Sequence, residues 1–254
     1  MPTRGRPDYV KRAIESALAQ SFSKFELIVL DNSSKVDKEL ILDFANSDSR
    51  IVFIDRGNIG VTEARKLGAM RARGKLLALL DSDDYWANQR LEKHLEIWRK
   101  NQIGLSWDRW VKVDKNGIRP VAQPFSAGLI LPPKLALKLY FGNFIHASAG
   151  IVSTVFAKTL GFPLPEVMSS DWTLFLRAAE YYPAYFIGET LSFDEEGSPD
   201  RVSDALPEGF LQKQDLMVRR WALLSKPSIY GMGYLKGRLL RTPRRVGLKP
   251  KTTP

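Results

Sequence analysis

The chain has 254 residues, of which 44% are hydrophobic and 26% are charged. This composition is typical of a globular protein and excludes a disordered, collagen-like or coiled-coil chain. The length favours one large domain, with or without an appendage. There is no cysteine and there are only two histidines, which excludes disulfides, thiol nucleophiles and cysteine zinc sites. Any metal ion is therefore expected to be a hard cation bound by oxygen ligands.

The formal net charge of +10 is concentrated at the C-terminal end, where residues 236–254 carry seven Lys or Arg and no acid. Such a tail fits peripheral contact with an anionic membrane surface, although a solvated, disordered tail is the simpler interpretation. No nucleic-acid recognition motif accompanies it, so no nucleic acid is expected as a partner. No apolar stretch is long enough for a transmembrane helix, and the first ten residues lack a signal core. We therefore expect a cytoplasmic location.

The first hundred residues alternate between helix and strand patterns. Amphipathic segments and short apolar runs mark these elements. Helices are predicted at 8–19, 38–45, 62–73 and 91–99, and strands at 25–30, 51–54 and 76–80. Strands separated by helices of this length favour right-handed crossovers and a mostly parallel sheet with helices on both faces. The predicted fold class is therefore α/β.

The start of the chain is abrupt for such a fold. A doubly wound sheet needs a strand before its first helix, whereas only a few residues around Met1–Thr3 are available here. A missing central strand would leave the backbone groups of its neighbours unpaired. We expect either a very short first strand or missing upstream residues, and we favour a misassigned start.

Carboxylates directly follow two of the predicted strands. Asp31 follows the first strand, and Asp81-Ser82-Asp83-Asp84 follows the third. Ligands of open α/β sheets bind beyond the carboxyl ends of the strands, so both clusters are expected on one rim of the sheet. Crowded carboxylates need compensating positive charge, which a phosphate-bound Mg²⁺ would supply. Taken alone, the first cluster is also typical of an Asx-turn and the second of a solvated acidic turn.

Six segments of the first hundred residues form an ordered set. They are Pro2-Thr3-Arg4-Gly5-Arg6-Pro7, residues 14–22 (IESALAQSF), 25–34 (FELIVLDNSS), 58–65 (NIGVTEAR), 72–75 (ARGK) and 80–86 (LDSDDYW). Each segment alone is weak, but their order and spacing resemble those of family 2 glycosyltransferases of the GT-A fold. A later block at residues 161–177 extends the match.

The resemblance implies a GT-A fold, with a Rossmann-like, mostly parallel central sheet flanked by helices in a single domain. Residues 1–100 would form the nucleotide-sugar-binding half and residues 101–205 the acceptor-binding half. Residues 206–254 would form a helical and basic C-terminal extension. By resemblance, Pro2 and Thr3 would line the base and ribose of a nucleotide-sugar donor, and Asp31 would hydrogen-bond the base.

The same resemblance assigns Asp81, Ser82 and Asp83 to a donor-binding D-x-D segment. Asp83 would ligate Mn²⁺ or Mg²⁺, and Asp81 would contact the ribose or a metal-bound water. A cation at this place would neutralise the charge that builds on the departing diphosphate, as a Lewis acid does.

Asp171, in Ser169-Ser170-Asp171-Trp172, opens a predicted helix, so helix capping is its simpler interpretation. The resemblance instead implies a general base that deprotonates the acceptor hydroxyl during an inverting transfer. His146 is interpreted as a partly buried structural histidine. Trp107 and Trp110 are interpreted as core residues rather than as sugar-stacking residues.

The resulting prediction is an inverting, metal-dependent enzyme that moves a sugar from a nucleotide-diphosphate donor to a hydroxyl of a glycan or lipid-linked acceptor. A UDP-sugar is the favoured donor. The chain departs from the family pattern at Arg4-Gly5, where Tyr-Asn is frequent, and at Lys66, where Asn is frequent. A frequent late His-x-x-Ser is replaced by Glu195-Glu196-Gly197-Ser198. Two alternatives remain: a nucleotidyltransferase, for which no glycine- and lysine-rich phosphate loop is evident, and a non-catalytic sugar-nucleotide-binding or membrane-surface protein.

Overall fold

The fold is that of a computed structural model. The structure describes residues 1–3, 5–31, 35–57, 59–162, 169–196, 207, 209–226 and 228–229, with the backbone only at 31 and 35–37. The helices are α1 (Pro7–Leu18), α2 (Lys35–Ser47), α3 (Val61–Arg71), α4 (Arg90–Lys100), α5 (Lys134–Phe141), α6 (Thr154–Leu160), α7 (Ser170–Tyr181) and α8 (Phe210–Ser225). The strands are β1 (Pro2–Thr3), β2 (Leu27–Asp31), β3 (Ile51–Asp55), β4 (Leu76–Ala78), β5 (Tyr85–Trp86), β6 (Leu105–Asp114), β7 (Gly117–Pro120), β8 (Gly128–Ile130), β9 (Gly150–Ser153) and β10 (Ala184–Glu195).

The predicted order of helices and strands in the first hundred residues is confirmed. α1 illustrates the reason, because Pro7 suits the first helical position and Asp8 lies in the first turn. Its apolar residues recur with helical spacing, so Val10 and Ile14 lie together on the face that is buried. Local signals of this kind determine where each element begins and ends.

The strands form two sheets. β1, β2 and β3 pair in parallel and in that order. The second sheet has the order β4-β9-β6-β10-β5, with β7 beside β6 and β8 beside β10. In it β6 and β10 are parallel, whereas β4 and β5 pair with antiparallel neighbours. The α/β fold class is confirmed, and the parallel pairing predicted for the first half covers β1–β3, because β4 pairs instead with β9 from the second half.

The strand register brings several sequence-predicted residues to one edge. Thr3 is the Cα partner of Asp31, and Asp31 is in turn the partner of Asp55. Since these three strands are parallel, their carboxyl ends lie at the same edge. Asp81 follows the last residue of β4, Ala78, by three positions.

The main hydrophobic core lies between the second sheet and the helices of the second half. Trp107 is fully buried there and its ring stacks on Phe186 at a centroid distance of 5.2 Å. Trp110 is also buried. The interpretation of both tryptophans as core residues is therefore confirmed.

An apolar cavity of about 380 Å³ is lined by residues from both sheets. Aliphatic side chains such as Leu30, Leu77 and Ile151 line it, and Arg65 contributes to its wall. The residues that line the cavity do not include Asp81, Asp83 or Asp171. The carboxylates therefore meet outside this cavity.

A buried polar network holds α4 against the second sheet. Nε of Arg90 donates to Asp108 at 2.8 Å, and Nε2 of His94 lies 3.0 Å from the same carboxylate oxygen. All three side chains are completely buried. Burial, reinforced by the charge of Arg90, lowers the pKa of His94 to about 4. His94 is therefore neutral in the folded protein at neutral pH.

The neutral state of His94 predicts a pH-dependent contribution to stability. In the unfolded chain the histidine has its ordinary pKa of 6.5. Below that pH the unfolded chain therefore holds a proton that the folded chain excludes. We expect this residue to lower the free energy of unfolding by about 2 kcal/mol between roughly pH 8 and pH 5. The measurement is denaturant unfolding of wild type and His94→Gln across this range. If the difference in stability between the two proteins does not change with pH, the assignment of a neutral His94 is wrong.

Candidate active site

The D-x-D segment lies in a turn between β4 and β5. The backbone amide of Asp84 donates to the carbonyl of Asp81 at 3.1 Å, which closes the turn. The amide of Asp81 donates to the hydroxyl of Ser148 at 3.0 Å. Ser148 belongs to a short 3-10 turn, Ala147–Ala149, that precedes β9. Ser148, from the second half of the chain, therefore fixes the backbone position of Asp81.

Arg65 joins the D-x-D segment to Asp171. Its Nη2 atom contacts both oxygens of Asp81, at 2.7 and 2.9 Å, and its Nη1 atom contacts Asp171 at 3.2 Å. Nη1 also donates to the hydroxyl of Ser170 at 3.1 Å. Burial disfavours the charge of Arg65, but the two carboxylates outweigh burial and raise its pKa. Arg65 is therefore a fixed positive charge between two acids that lie 90 residues apart in the sequence.

Asp171 lies inside the first turn of α7 and is not its cap. The N-cap residue is Ser169, whose side chain makes no capping hydrogen bond. One carboxylate oxygen of Asp171 contacts Arg65, and the other accepts a hydrogen bond from Asn143 Nδ2 at 3.0 Å. Asp171 therefore points toward the D-x-D segment with both oxygens held in place, and the capping interpretation is wrong.

Asp83 has a cationic partner of its own. Nη1 of Arg6 lies 2.7 Å from Asp83, and both side chains are nearly buried, with 10% and 12% exposed. Arg6 is the N-cap residue of α1 and lies within the first of the sequence segments described above. Each of the two acids of the D-x-D segment is thus paired with a different arginine from the first half of the chain.

A second cluster of titratable residues, Asp84, His146 and Asp194, lies next to the D-x-D segment. Nδ1 of His146 lies 3.3 Å from Asp84, and its Nε2 lies 3.9 Å from Asp194. One potential metal-ligand atom from each of the three residues falls within 4.8 Å of the others. Within the described residues, Oδ1 of Asp84 is buried and has no hydrogen-bond partner. The cluster can therefore accept a cation or a proton.

The protonation of this cluster follows from its burial. Burial, together with the negative charges of Asp81, Asp83 and Asp194, raises the pKa of Asp84 to about 7, although His146 opposes the shift. Burial disfavours the charged form of His146, but the neighbouring carboxylates, led by Asp84, overcome it and raise the pKa. His146 is partly buried, as expected, and it belongs to the site through these contacts.

The remaining predicted donor-binding residues lie at the same edge of the first sheet. Thr3 is buried in β1 and Pro2 is partly exposed beside it. For Asp31 only the backbone is described, and it pairs with Thr3. Predictions that involve Arg4, residues 32–34, residues 197–198 and the basic tail 236–254 concern residues outside the described part of the chain.

Four residues of this site, Arg6, Arg65, Asn143 and Asp194, carry no role in the sequence-based prediction. Arg6 and Arg65 lie within the quoted segments, and the need to compensate crowded carboxylates is the signal that could have singled them out. Asn143 and Asp194 carry no comparable local signal, because their importance comes from long-range contacts.

An α/β fold with carboxylates gathered at the D-x-D segment is the arrangement expected of a GT-A glycosyltransferase. The family model described as "Glycosyl transferase family 2" matches residues 1–151, which is more than half of the chain. The chain therefore belongs to glycosyl transferase family 2.

Curated relatives are similar over part of this chain. An uncharacterized glycosyltransferase of Rickettsia bellii is 32% identical over 117 residues, which are 46% of this chain and 17% of that protein. The chain thus spans less than a quarter of the length of several such relatives. The Escherichia coli UDP-Glc:alpha-D-GlcNAc-diphosphoundecaprenol beta-1,3-glucosyltransferase WfgD is 28% identical over 180 residues, covering 69% of this chain and 66% of that protein.

Solved structures share the fold. S. aureus TarS 1-349 in complex with UDP-GlcNAc superposes with a TM-score of 0.74 at 16% identity, over 97% of this chain and 75% of that chain. The mannosyltransferase PcManGT from Pyrobaculum calidifontis, in complex with GDP-Man and Mn²⁺, gives a TM-score of 0.57 at 14% identity, over 96% of this chain and 80% of that chain. Among the helices that the structure describes, none is long and apolar enough to cross a membrane.

The position of Arg65 predicts its contribution to stability. Arg65→Met leaves Asp81 and Asp171 without their shared cation, so we expect the free energy of unfolding to fall by about 3 kcal/mol. This is the low end for breaking a buried ion pair, because the side chain of Asp81 is 27% exposed. The measurement is denaturant unfolding at neutral pH.

The matched control is Lys66→Met, which removes an exposed cation from the next position of α3. It should change the free energy of unfolding by less than about 1 kcal/mol. Equal effects of the two substitutions would contradict a structural role for the Arg65 contacts.

Proposed function

We propose that the protein is an inverting glycosyltransferase that moves a sugar from a nucleotide-diphosphate donor to a hydroxyl of a glycan or lipid-linked acceptor. The observation that carries this proposal is the Arg65 bridge, because it joins the D-x-D acid Asp81 to the candidate base Asp171. A donor bound at the first acid would place its reacting carbon within reach of a base held at the second. Membership of glycosyl transferase family 2 supports the same reaction class.

The proposed donor is a UDP-sugar. Its nucleotide would lie along the edge formed by Pro2, Thr3 and Asp31, and its diphosphate would lie near Asp81, Ser82 and Asp83. The UDP-GlcNAc complex of TarS and the UDP-glucose named for WfgD support a uridine nucleotide. Arginines beside these acids also suit phosphate recognition, since a guanidinium binds phosphate oxygens bidentately.

The residues present fit a divalent cation such as Mn²⁺ or Mg²⁺. The donor set is rich in carboxylate oxygens, which hard cations prefer, and Oδ1 of Asp84 is buried with no partner among the described residues. We propose that Asp83 and Asp81 hold the ion, with Asp84, His146 and Asp194 as the alternative set. When bound, the ion would neutralise charge on the leaving diphosphate. The Mn²⁺ complex of PcManGT supports the use of such an ion.

Asp171 is the proposed general base. Its carboxylate accepts the proton of the acceptor hydroxyl while the hydroxyl oxygen bonds to the anomeric carbon. The bond from that carbon to the diphosphate oxygen breaks on the opposite face, and the nucleoside diphosphate leaves with its electron pair. A single displacement of this kind inverts the configuration. Arg65 and Asn143 orient the carboxylate so that its oxygens do not need to be ordered during the reaction.

A lipid-linked acceptor is proposed on the basis of the relatives. The name of WfgD specifies a GlcNAc-diphosphoundecaprenol acceptor, whose lipid is embedded in a membrane. The protein would then act in the cytoplasm, at the membrane surface, and the basic tail 236–254 would add electrostatic attraction to anionic lipids.

The proposed metal ligand can be tested by donor binding. Asp83→Ala should lower the affinity for UDP in the presence of Mn²⁺ by at least about tenfold, because the ion loses its main carboxylate. Isothermal titration with UDP, with and without Mn²⁺, measures the effect. Asp84→Asn is the matched variant for the alternative set. If only Asp84→Asn removes the Mn²⁺ dependence, the assignment of Asp83 as a ligand is wrong.

The proposed base can be tested by turnover. Asp171→Asn should leave UDP binding unchanged and lower sugar transfer by about 10²–10⁴-fold, because the amide cannot take the hydroxyl proton. Release of UDP from a UDP-sugar in the presence of an acceptor measures transfer. The control is Glu92→Gln, which makes the same carboxylate-to-amide change in the first turn of α4. This variant should retain activity. A wild-type protein that binds UDP but transfers no sugar from UDP-, GDP- or dTDP-sugars would instead indicate a non-catalytic binding protein.

A further inference from the structure

Helix α8 packs against the core through one face. Val218 and Ala222 are completely buried on this face, and Gln214 is 5% exposed beside them. Val218 and Ala222 belong to the main hydrophobic core, and Trp221 packs against it. The spacing of four residues between Gln214, Val218 and Ala222 defines the inward side of the helix.

The opposite side of α8 is also rich in apolar residues. Leu216, Met217 and Leu224 are 65%, 40% and 72% exposed. Together with the exposed Lys213 and Arg220 they recur every three or four residues, so they form one stripe, which we call the outward face of α8. The outward face of a surface helix is normally polar. The three large apolar side chains here therefore need an explanation.

The charge of the outward face has a single sign. Lys213 and Arg220 lie within the stripe, and it contains no acidic residue. Asp215 is the only acid in the sequence of α8, and its side chain is paired with Arg219 at 3.9 Å. Large apolar side chains between cations are typical of helices that lie in the headgroup region of an anionic membrane.

Helix α8 contacts the segment that leads to the candidate base. Arg219 Nη2 donates to the carbonyl of Phe141 at 2.9 Å, at the end of α5. Two residues later, Asn143 contacts Asp171 at 3.0 Å. Phe141 is itself 45% exposed. Helix α8 is therefore connected, through the end of α5, to the segment that holds Asp171.

We propose that the outward face of α8 docks the protein on an anionic phospholipid bilayer. Leu216, Met217 and Leu224 enter the boundary between headgroups and acyl chains, while Lys213 and Arg220 contact the lipid phosphates. The docking surface rests on the proposed function and deepens it, since it would hold the protein at the membrane in which a lipid-linked acceptor is embedded. A second copy of the chain is a poorer occupant, because two such faces would bring cations against cations.

The experiment is co-sedimentation of the full chain with lipid vesicles at physiological salt. One set of vesicles is phosphatidylcholine alone, and the other contains about one-third phosphatidylglycerol. We expect wild type to bind the anionic vesicles and to bind the neutral vesicles much less. The double variant Leu216→Glu/Leu224→Glu should bind the anionic vesicles about tenfold more weakly, because it removes apolar insertion and adds repulsion from the lipids.

The matched control is Ile118→Glu/Val155→Glu, which adds the same charge at two side chains that are 63% and 71% exposed elsewhere on the surface. It should retain most vesicle binding. Circular dichroism and UDP titration verify that both variants are folded, and they also separate this test from the test of catalysis. Equal binding by wild type and the α8 variant would assign membrane contact to another part of the chain and overturn the proposal. A wild-type dimer that the α8 variant dissociates, without vesicle binding, would overturn it in favour of self-association.

Discussion

The arrangement of the site depends on the compensation of buried carboxylates by two arginines. Asp81 and Asp171 come from different halves of the chain, and each would be costly to bury as an isolated charge. Arg65 offsets both at once, because its planar guanidinium presents several donors in fixed directions. The two halves are therefore joined at the site by an ion pair as well as by the packing of the core.

The arginine partners also explain why the pKa values of Asp81 and Asp84 differ. Asp81 and Asp83 have arginine partners, and burial of Asp81 is outweighed by Arg65, so that its pKa is lowered. Asp84 has no arginine and is almost completely buried, so its pKa is raised. The pKa values of two carboxylates in one short turn, Asp81 and Asp84, are thus shifted in opposite directions. A segment of this kind can present the negative charge of Asp81 to a ligand while its buried acid, Asp84, titrates close to neutral pH.

Much of the fold could be predicted from local patterns, whereas the pairing within the site could not. The periodicity of segments such as α1 and the apolar run of β2 depend on residues close in sequence, so their order was evident. The D-x-D segment and Asp171 are predicted as site residues because the motifs occur in a familiar order. The partnership between Arg65 and Asp171, however, spans 106 residues. Nothing in either neighbourhood indicates it, and the antiparallel pairing of β4 with β9 is a non-local feature of the same kind.

The buried layer beneath the carboxylates has a consequence for how remote substitutions behave. Arg90 lies over the ring of Trp86 at 4.4 Å, and the indole nitrogen of Trp86 donates to the carbonyl of Ser148 at 2.8 Å. Ser148 in turn receives the amide of Asp81. A shift of about 1 Å in reacting groups is enough to slow an enzyme strongly. A substitution that moves the indole of Trp86 would therefore also move Asp81, through the two hydrogen bonds at Ser148. In an activity assay, such an interior substitution would have the same effect as a substitution in the site.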